Sequence, residues 1–164
     1  MEAFLQQLIN GLSLGSIYAL IALGYTMVYG IIKLINFAHG DIYMVGAFVG
    51  YTAINTLHLS FFPALILSMV FCAILGVAIE RIAYKPLRNA TRVAALITAI
   101  GMSYLLQNGM IYLVGSETRA FPQVIKNKVY EFAGLQVSQT QIMIFATTII
   151  LMLALQLIVQ KTKM

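Results

Sequence analysis

The chain has 164 residues, of which 61% are hydrophobic and only 9% are charged, and its net charge is +5. Soluble domains average roughly 25% charged residues, so this composition excludes a water-covered globular domain and, with it, a soluble enzyme. The few charges are also bunched, because four long stretches contain none: 4–32, 61–79, 93–115 and 142–159.

These charge-free stretches predict transmembrane α-helices. A hydrocarbon core of about 30 Å needs about 20 apolar residues as a helix. Runs such as 64–79 stay apolar at both alternating positions, which excludes a transmembrane barrel. We therefore predict an all-α polytopic transmembrane helix bundle, a single domain over 1–164 with about five spans. The predicted spans are 4–32, 42–57, 61–81, 93–115 and 142–160, and the predicted long loop is 116–141.

Basic residues predict the orientation of the bundle. Cytoplasmic loops carry an excess of Lys and Arg, and here seven basic residues fall on one side against three on the other. The seven are Lys33, Arg81, Lys85, Arg88, Arg92, Lys161 and Lys163, and the three are Arg119, Lys126 and Lys128. The N-terminus and the 116–141 loop are therefore expected outside, and the C-terminus in the cytoplasm. Residues 83–92, with three basic side chains and Pro86, are predicted as a polar loop.

Two glycine pairs have the small-xxx-small spacing that lets membrane helices approach closely. Gly11 and Gly15 lie in the first predicted span, and Gly46 and Gly50 lie in the second. The pattern predicts helix packing at these positions, with flexibility for gating as the alternative.

The segment from Asn36 to Asp41 precedes a predicted span of only about 16 residues, or about 24 Å of helix. Such a helix is short for a full crossing. Either the segment lies inside the membrane as a broken helix, which in transporters often marks the substrate path, or it is an ordinary cytoplasmic turn. In the second case Asn36 or Asp41 would cap the next helix.

The pattern of polar residues predicts neither a catalytic site nor a metal site. His39 and His58 have no partner at metal-ligand spacing. The phosphate-binding pattern GxxxxGK[ST] is absent from the sequence. We therefore expect no cofactor on this chain, and any energy from ATP must come from a partner.

Two long motifs identify a family. The sequences NGLSLGSIYALIALGYTMVYG at 10–30 and INFAHGDIYMVGAF at 35–48 closely resemble the N-terminal half of permease subunits of branched-chain amino-acid ABC transporters. ERIAYKPLR at 80–88 and LITAIGMSYLLQN at 96–108 fit the same family. The resemblance therefore covers almost the whole chain.

The resemblance implies uptake of leucine, isoleucine and valine across a bacterial or archaeal plasma (inner) membrane. The implied partners are a second homologous permease, two cytoplasmic ATPase subunits that use ATP, and an extracytoplasmic substrate-binding protein. Such permeases usually run to nearly twice this length, so we expect a truncated permease that lacks the coupling loop and cannot transport alone.

The candidate translocation path for a zwitterionic substrate is the group Asn36, His39, Gly40 and Asp41. Two alternatives remain open at this point. The chain could belong to a permease for another small solute, such as a sugar or an amide. It could also be a non-transporting small membrane protein, a channel or an assembly factor that descends from a permease.

Overall fold

The computed structural model describes residues 2–32, 35–87, 90–124, 128–132 and 134–161. Over these residues the α-helices are α1 (Glu2–Ile32), α2 (His39–Asn55), α3 (Phe61–Ile79), α4 (Arg92–Val114) and α5 (Gln139–Lys161). A π-helical turn (Glu80–Tyr84) and a 3-10 turn (Lys85–Leu87) continue α3. Strands β1 (Val129–Phe132) and β2 (Leu135–Ser138) form an antiparallel hairpin before α5.

Four helical stretches of the described chain are long and apolar enough to cross a membrane, judged by length and composition. They are Ala3–Gly30, Phe61–Leu87, Val93–Val114 and Gln139–Ile158. Large apolar side chains are exposed along them, as at Phe62 and Leu113, which fits a lipid environment. The predicted class, an all-α multi-pass membrane protein, is therefore confirmed. The 17-residue helix α2 is not among the four.

By internal packing the chain forms two units, Met1–Ile31 together with Ile125–Met164, and Ile32–Val124. In the first unit the hairpin pairs Val129 with Ser138 and Phe132 with Leu135. Gly134 adopts a φ of 78° in the connecting turn, a conformation that glycine accepts without strain. The loop predicted over 116–141 thus contains a hairpin, and α5 begins at Gln139, three residues before the predicted span.

In the second unit α2 and α3 pack antiparallel at close range. A Cβ added at Gly46 would lie 2.5 Å from Cys72 Sγ and 3.3 Å from Ser68 Oγ. Ser68 Oγ donates to the Gly46 carbonyl at 2.5 Å, and Cys72 Sγ donates to the Ile42 carbonyl at 3.5 Å. Side chains of α3 therefore donate hydrogen bonds to the backbone of α2. This arrangement suits a lipid environment, where no water competes for the same carbonyl groups.

The buried cluster of this unit lies where the π-helical turn meets α4. Ile79, Ala83, Tyr84 and Ala99 form it, and partly buried apolar residues pack around them: Ile42, Leu75, Met102 and Leu106. The sequence predicted a polar loop from residue 83, but helical turns continue to Leu87. The prediction is wrong there because Ala83 and Tyr84 turn inward onto α4. Pro86 is accommodated in a short turn, where few backbone donors are needed.

Helix α4 has a defined start and end. The Thr91 side chain accepts a hydrogen bond from the Ala94 amide at 3.4 Å, a typical N-cap contact. Gly115 follows the last turn with a φ of 90°, and its backbone amide donates a hydrogen bond to the Ile111 carbonyl. Glycine residues commonly end helices in this way.

Candidate functional site

A short non-helical segment leads into α2. Residues 35–38 are not helical, and α2 begins at His39, three residues before the predicted span. Asn36 organises this entry, because its side-chain Oδ1 accepts from the Ala38 amide at 3.1 Å and its carbonyl accepts from the His39 amide at 3.2 Å. Asn side chains stabilise turns in this way.

Asp41 lies in the first turn of α2 and is buried, with 8% of its surface exposed. Both of its carboxylate oxygens accept hydrogen bonds from α4. Ser103 Oγ donates to Oδ2 at 2.5 Å, and Gln107 Nε2 donates to Oδ1 at 2.9 Å. Gln107 Nε2 also lies 3.2 Å from Ser103 Oγ. The three side chains therefore form one network between α2 and α4.

Tyr84 joins the same region from the π-helical turn. It is 6% exposed, and its hydroxyl donates to Asn36 Oδ1 at 2.7 Å. The Asn36 oxygen thus accepts two hydrogen bonds, one from Tyr84 and one from the Ala38 amide. π-Helical turns are rare and are found frequently at functional sites. Here the turn ends at Tyr84, whose hydroxyl lies beside the start of α2.

The depth of this network follows from α4. Ser103 lies midway between the ends of that helix, Arg92 and Val114, or roughly 16 Å from either end at 1.5 Å per residue. Asp41 therefore contacts the middle of a helix that is long and apolar enough to span a membrane. Ionisable residues at membrane depth are rare and typically mark substrate or ion pathways.

The other predicted path residues lie on the same first turn. His39 is half-buried, whereas Gly40 is exposed and has no atom within 4 Å of the position of an added Cβ. Asn36 contacts Tyr84, and Asp41 contacts Ser103 and Gln107. A role of the predicted path residues in translocation stays a prediction.

The two glycine pairs differ in their surroundings. Gly46 packs closely against α3, and a Cβ added at Gly50 would lie 4.0 Å from Ser68 Oγ. A Cβ added at Gly11 or at Gly15 would meet no atom within 4 Å. Both glycines line an open groove of about 650 Å³ within the first unit. The predicted packing role of the four glycines stays a prediction.

Sequence reasoning missed Tyr84, Ser103 and Gln107. Ser103 and Gln107 are polar residues four positions apart in a largely apolar helix, a spacing that puts both on one face. That signal was available. Tyr84 gave no comparable signal, because it stands between basic residues in a segment that resembles a polar loop.

Comparison with known proteins bears on the whole chain. Residues 7–164 match the family described as "Branched-chain amino acid transport system / permease component". The chain is 42% identical, over 98% of its length, to the high-affinity branched-chain amino acid transport system permease protein BraD of Pseudomonas aeruginosa. It is 41% identical, over the same share, to the proteins of that description named LivH in Salmonella typhimurium and Escherichia coli.

The alignments cover 56% of each of these relatives, so the chain spans a little over half of their length. No solved structure matches the chain. The resemblance of the motifs at 10–30 and 35–48 is confirmed, because both the family match and the relatives cover these segments. The chain belongs to the family of permease components of branched-chain amino acid transport systems.

Proposed function

We propose that this chain forms the membrane-spanning part of a permease subunit in an ATP-binding-cassette importer for branched-chain amino acids. The observation that carries the proposal is 41–42% identity over 98% of the chain to permeases named for high-affinity transport of these amino acids. The apolar helices supply the membrane-crossing element that such a role requires.

The proposed partners are a second homologous permease, two cytoplasmic ATPase subunits and an extracytoplasmic substrate-binding protein. ATP would be used by the ATPase subunits, and this chain would hold no cofactor of its own. The proposed location is the plasma (inner) membrane of a bacterium or archaeon, with the chain crossing it several times.

We propose five crossings with the N-terminus outside. The Gln6 side chain bonds both backbone groups of Gln136, and Gln141 Nε2 donates to Asn10 Oδ1 at 2.9 Å. These contacts support a common membrane side for the start of α1 and the start of α5. An even number of crossings must then separate the two starts, because each crossing changes side. Helices α1, α3 and α4 supply three, so α2 supplies the fourth.

A helix as short as α2 can complete a crossing if the segment before it contributes. The first turn of α2 contacts the middle of α4, and Asn36 contacts the π-helical turn at the far end of α3. The non-helical residues 35–38 would therefore cover the inner half of the membrane, and α2 the outer half. Non-helical backbone at that depth is tolerated where protein buries it.

The substrate path is proposed to pass this break, along Asn36, His39, Gly40 and Asp41. Interrupted helices in transporters place polar groups at the bilayer midplane, next to the transported solute. The contact of Asp41 with the middle of α4 supports this placement.

Of the basic residues that predict the orientation, Lys33, Arg88, Lys126 and Lys163 lie outside the described residues.

An uptake assay tests the function. The complete gene that contains this sequence, expressed with its cognate ATPase, second permease and binding protein in cells without their own branched-chain uptake, should confer ATP-dependent accumulation of labelled leucine. Unlabelled isoleucine and valine should compete, whereas ribose and urea should not.

Two other results would contradict the proposal. Competition by ribose or urea in place of isoleucine and valine would assign the permease to another small solute. Absence of any uptake, combined with purification of the chain as a defined oligomer free of ATPase subunits, would favour the non-transporting membrane protein.

A further inference from the structure

We propose that Asp41, held in place by Ser103 and Gln107, binds the ammonium group of the transported amino acid near the middle of the membrane. The inference rests on the proposed function, and it adds the residue and the chemical group through which the substrate is held.

The carboxylate of Asp41 is buried and is bonded by neutral donors. Asp41 is 8% exposed, and the hydrogen bonds to its carboxylate come from neutral donors, the Ser103 hydroxyl and the Gln107 amide. Among the described residues no Lys, Arg or His bonds this carboxylate. A buried carboxylate without a positive partner is costly, so a cationic ligand would gain strongly by approaching it.

The Asp41 carboxylate keeps acceptor positions open for a ligand. An ionised carboxylate can accept about four hydrogen bonds, two at each oxygen. Ser103 uses one position on Oδ2 and Gln107 uses one on Oδ1. One position per oxygen therefore remains, and an ammonium group with three N–H donors can fill both. The two donors on α4 fix the carboxylate in one orientation, which lowers the entropy lost on binding.

A ligand would approach the Asp41 carboxylate along α4. Gln107 is exposed while Asp41 is buried, so a ligand would reach the carboxylate from the face of α4 that carries Gln107. The Tyr84 hydroxyl donates to Asn36, and Asp41 is the one acid in the network of Asn36, Asp41, Tyr84, Ser103 and Gln107. Ser103 and Gln107 act as positioning residues, because they hold the carboxylate and need not touch the ligand.

A simple structural role makes the opposite prediction for a conservative substitution. If Asp41 only fastened α2 to α4, Asp41→Asn would keep wild-type uptake, since an Asn side chain can still accept a hydrogen bond from Gln107 and form one with Ser103. If the negative charge binds an ammonium group, Asp41→Asn should lower leucine uptake roughly 10- to 100-fold, the loss typical of a charge-assisted hydrogen bond. Asp41→Ala should be equally defective, and Asp41→Glu should recover part of the uptake.

A binding measurement that needs no transport separates the two proposals. The purified chain in lipid nanodiscs should show a raised Tm with leucine and with 3-methylbutylamine, which keeps the ammonium group but lacks the carboxylate. It should show no shift with 4-methylpentanoate, which lacks the ammonium group. In Asp41→Asn the shift with 3-methylbutylamine should vanish, while the ligand-free Tm stays equal or rises because an uncompensated buried charge is removed. Glu117→Gln, in an exposed segment, is the matched control and should behave like the wild type.

The outcomes are distinguishable. Wild-type leucine uptake together with normal uptake by Asp41→Asn, or a shift with 3-methylbutylamine that persists in Asp41→Asn or is absent in the wild type, overturns the ammonium site and leaves the proposed function standing. A shift with 3-methylbutylamine that depends on Asp41, without any leucine uptake by the wild-type transporter, supports the site and contradicts the proposed function.

Discussion

The side chain of Gln6 pairs with the backbone of Gln136 in both directions. Gln6 Nε2 donates to the Gln136 carbonyl at 2.8 Å, and the Gln136 amide donates to Gln6 Oε1 at 2.8 Å. A side-chain amide thus takes the place of a neighbouring strand at β2 and ties the hairpin to the first turns of α1. This contact joins residues 130 positions apart and holds the start of α1 close to the hairpin that precedes α5.

Removal of the Gln6 amide should loosen the hairpin. Gln6→Ala deletes both hydrogen bonds to Gln136, each worth about 1 kcal/mol, so cleavage at Glu131 by a glutamyl endopeptidase should become several-fold faster in detergent. Gln7→Ala changes the adjacent glutamine, for which the described structure gives no hydrogen bond, and is the control. Equal cleavage rates for both variants would mean that Gln6 does not restrain the hairpin.

Gly46→Ala should destabilise the packing of α2 on α3. The added Cβ would lie 2.5 Å from Cys72 Sγ, and overpacking of this kind costs about 1–3 kcal/mol. Thermal unfolding should therefore begin at a lower temperature. Gly76→Ala, on α3 with open space around its added Cβ, should be neutral or slightly stabilising, since Ala is the better helix former.

The double variant Gly46→Ala with Cys72→Ala should recover much of the loss, because the clashing sulfur is removed. A double variant that is as unstable as the sum of its parts would show that the two positions do not interact.

Tyr84→Phe should free the entry to α2. The substitution removes the hydroxyl that donates to Asn36 Oδ1 and keeps the aromatic ring in place, at an expected cost of about 1 kcal/mol. Hydrogen exchange should accelerate at the amides of Ala38 and His39, which bond to Asn36. Tyr112→Phe, at a tyrosine that is 89% exposed, should leave exchange unchanged. Unaltered protection in Tyr84→Phe would rule out the hydroxyl as a restraint on this turn.

Cysteine labelling should establish the number of crossings. In a Cys72→Ser background, an impermeant maleimide added to intact cells should label Thr56→Cys and Glu117→Cys but not Lys85→Cys. If α2 did not cross while the N-terminus stayed outside, the pattern would be reversed at all three positions. Permeabilised cells provide the control, because every variant should then be labelled.

The long charge-free stretches predicted α1, α3, α4 and α5 well, since the lipid core imposes length and polarity directly on the sequence. The start of α2 was harder to place. His39 and Asp41 are polar residues that suggest a loop, whereas donors on the distant helix α4 help to hold the first turn of α2 in place. The pairing of Asp41 with Ser103 could not be derived, because it joins residues 62 positions apart and local patterns carry no information about such distances.

The π-helical turn was also invisible in the sequence. Basic side chains and Pro86 favoured a loop from residue 83, while the burial of Ala83 and Tyr84 depends on a surface that α4 provides. The hairpin before α5 was hidden for a related reason, because its attachment depends on Gln6 at the other end of the chain.

The shared acceptor at Asn36 has a mechanical consequence. One oxygen atom receives both the Tyr84 hydroxyl and the Ala38 amide, so the π-helical turn that continues α3 and the entry of α2 share one acceptor. A displacement of Lys85–Leu87 would therefore be transmitted through Asn36 to the turn that precedes α2. Loss of either bond would separate the Tyr84 hydroxyl from the Ala38 amide, whereas the Ser68 and Cys72 bonds would still hold α3 against α2.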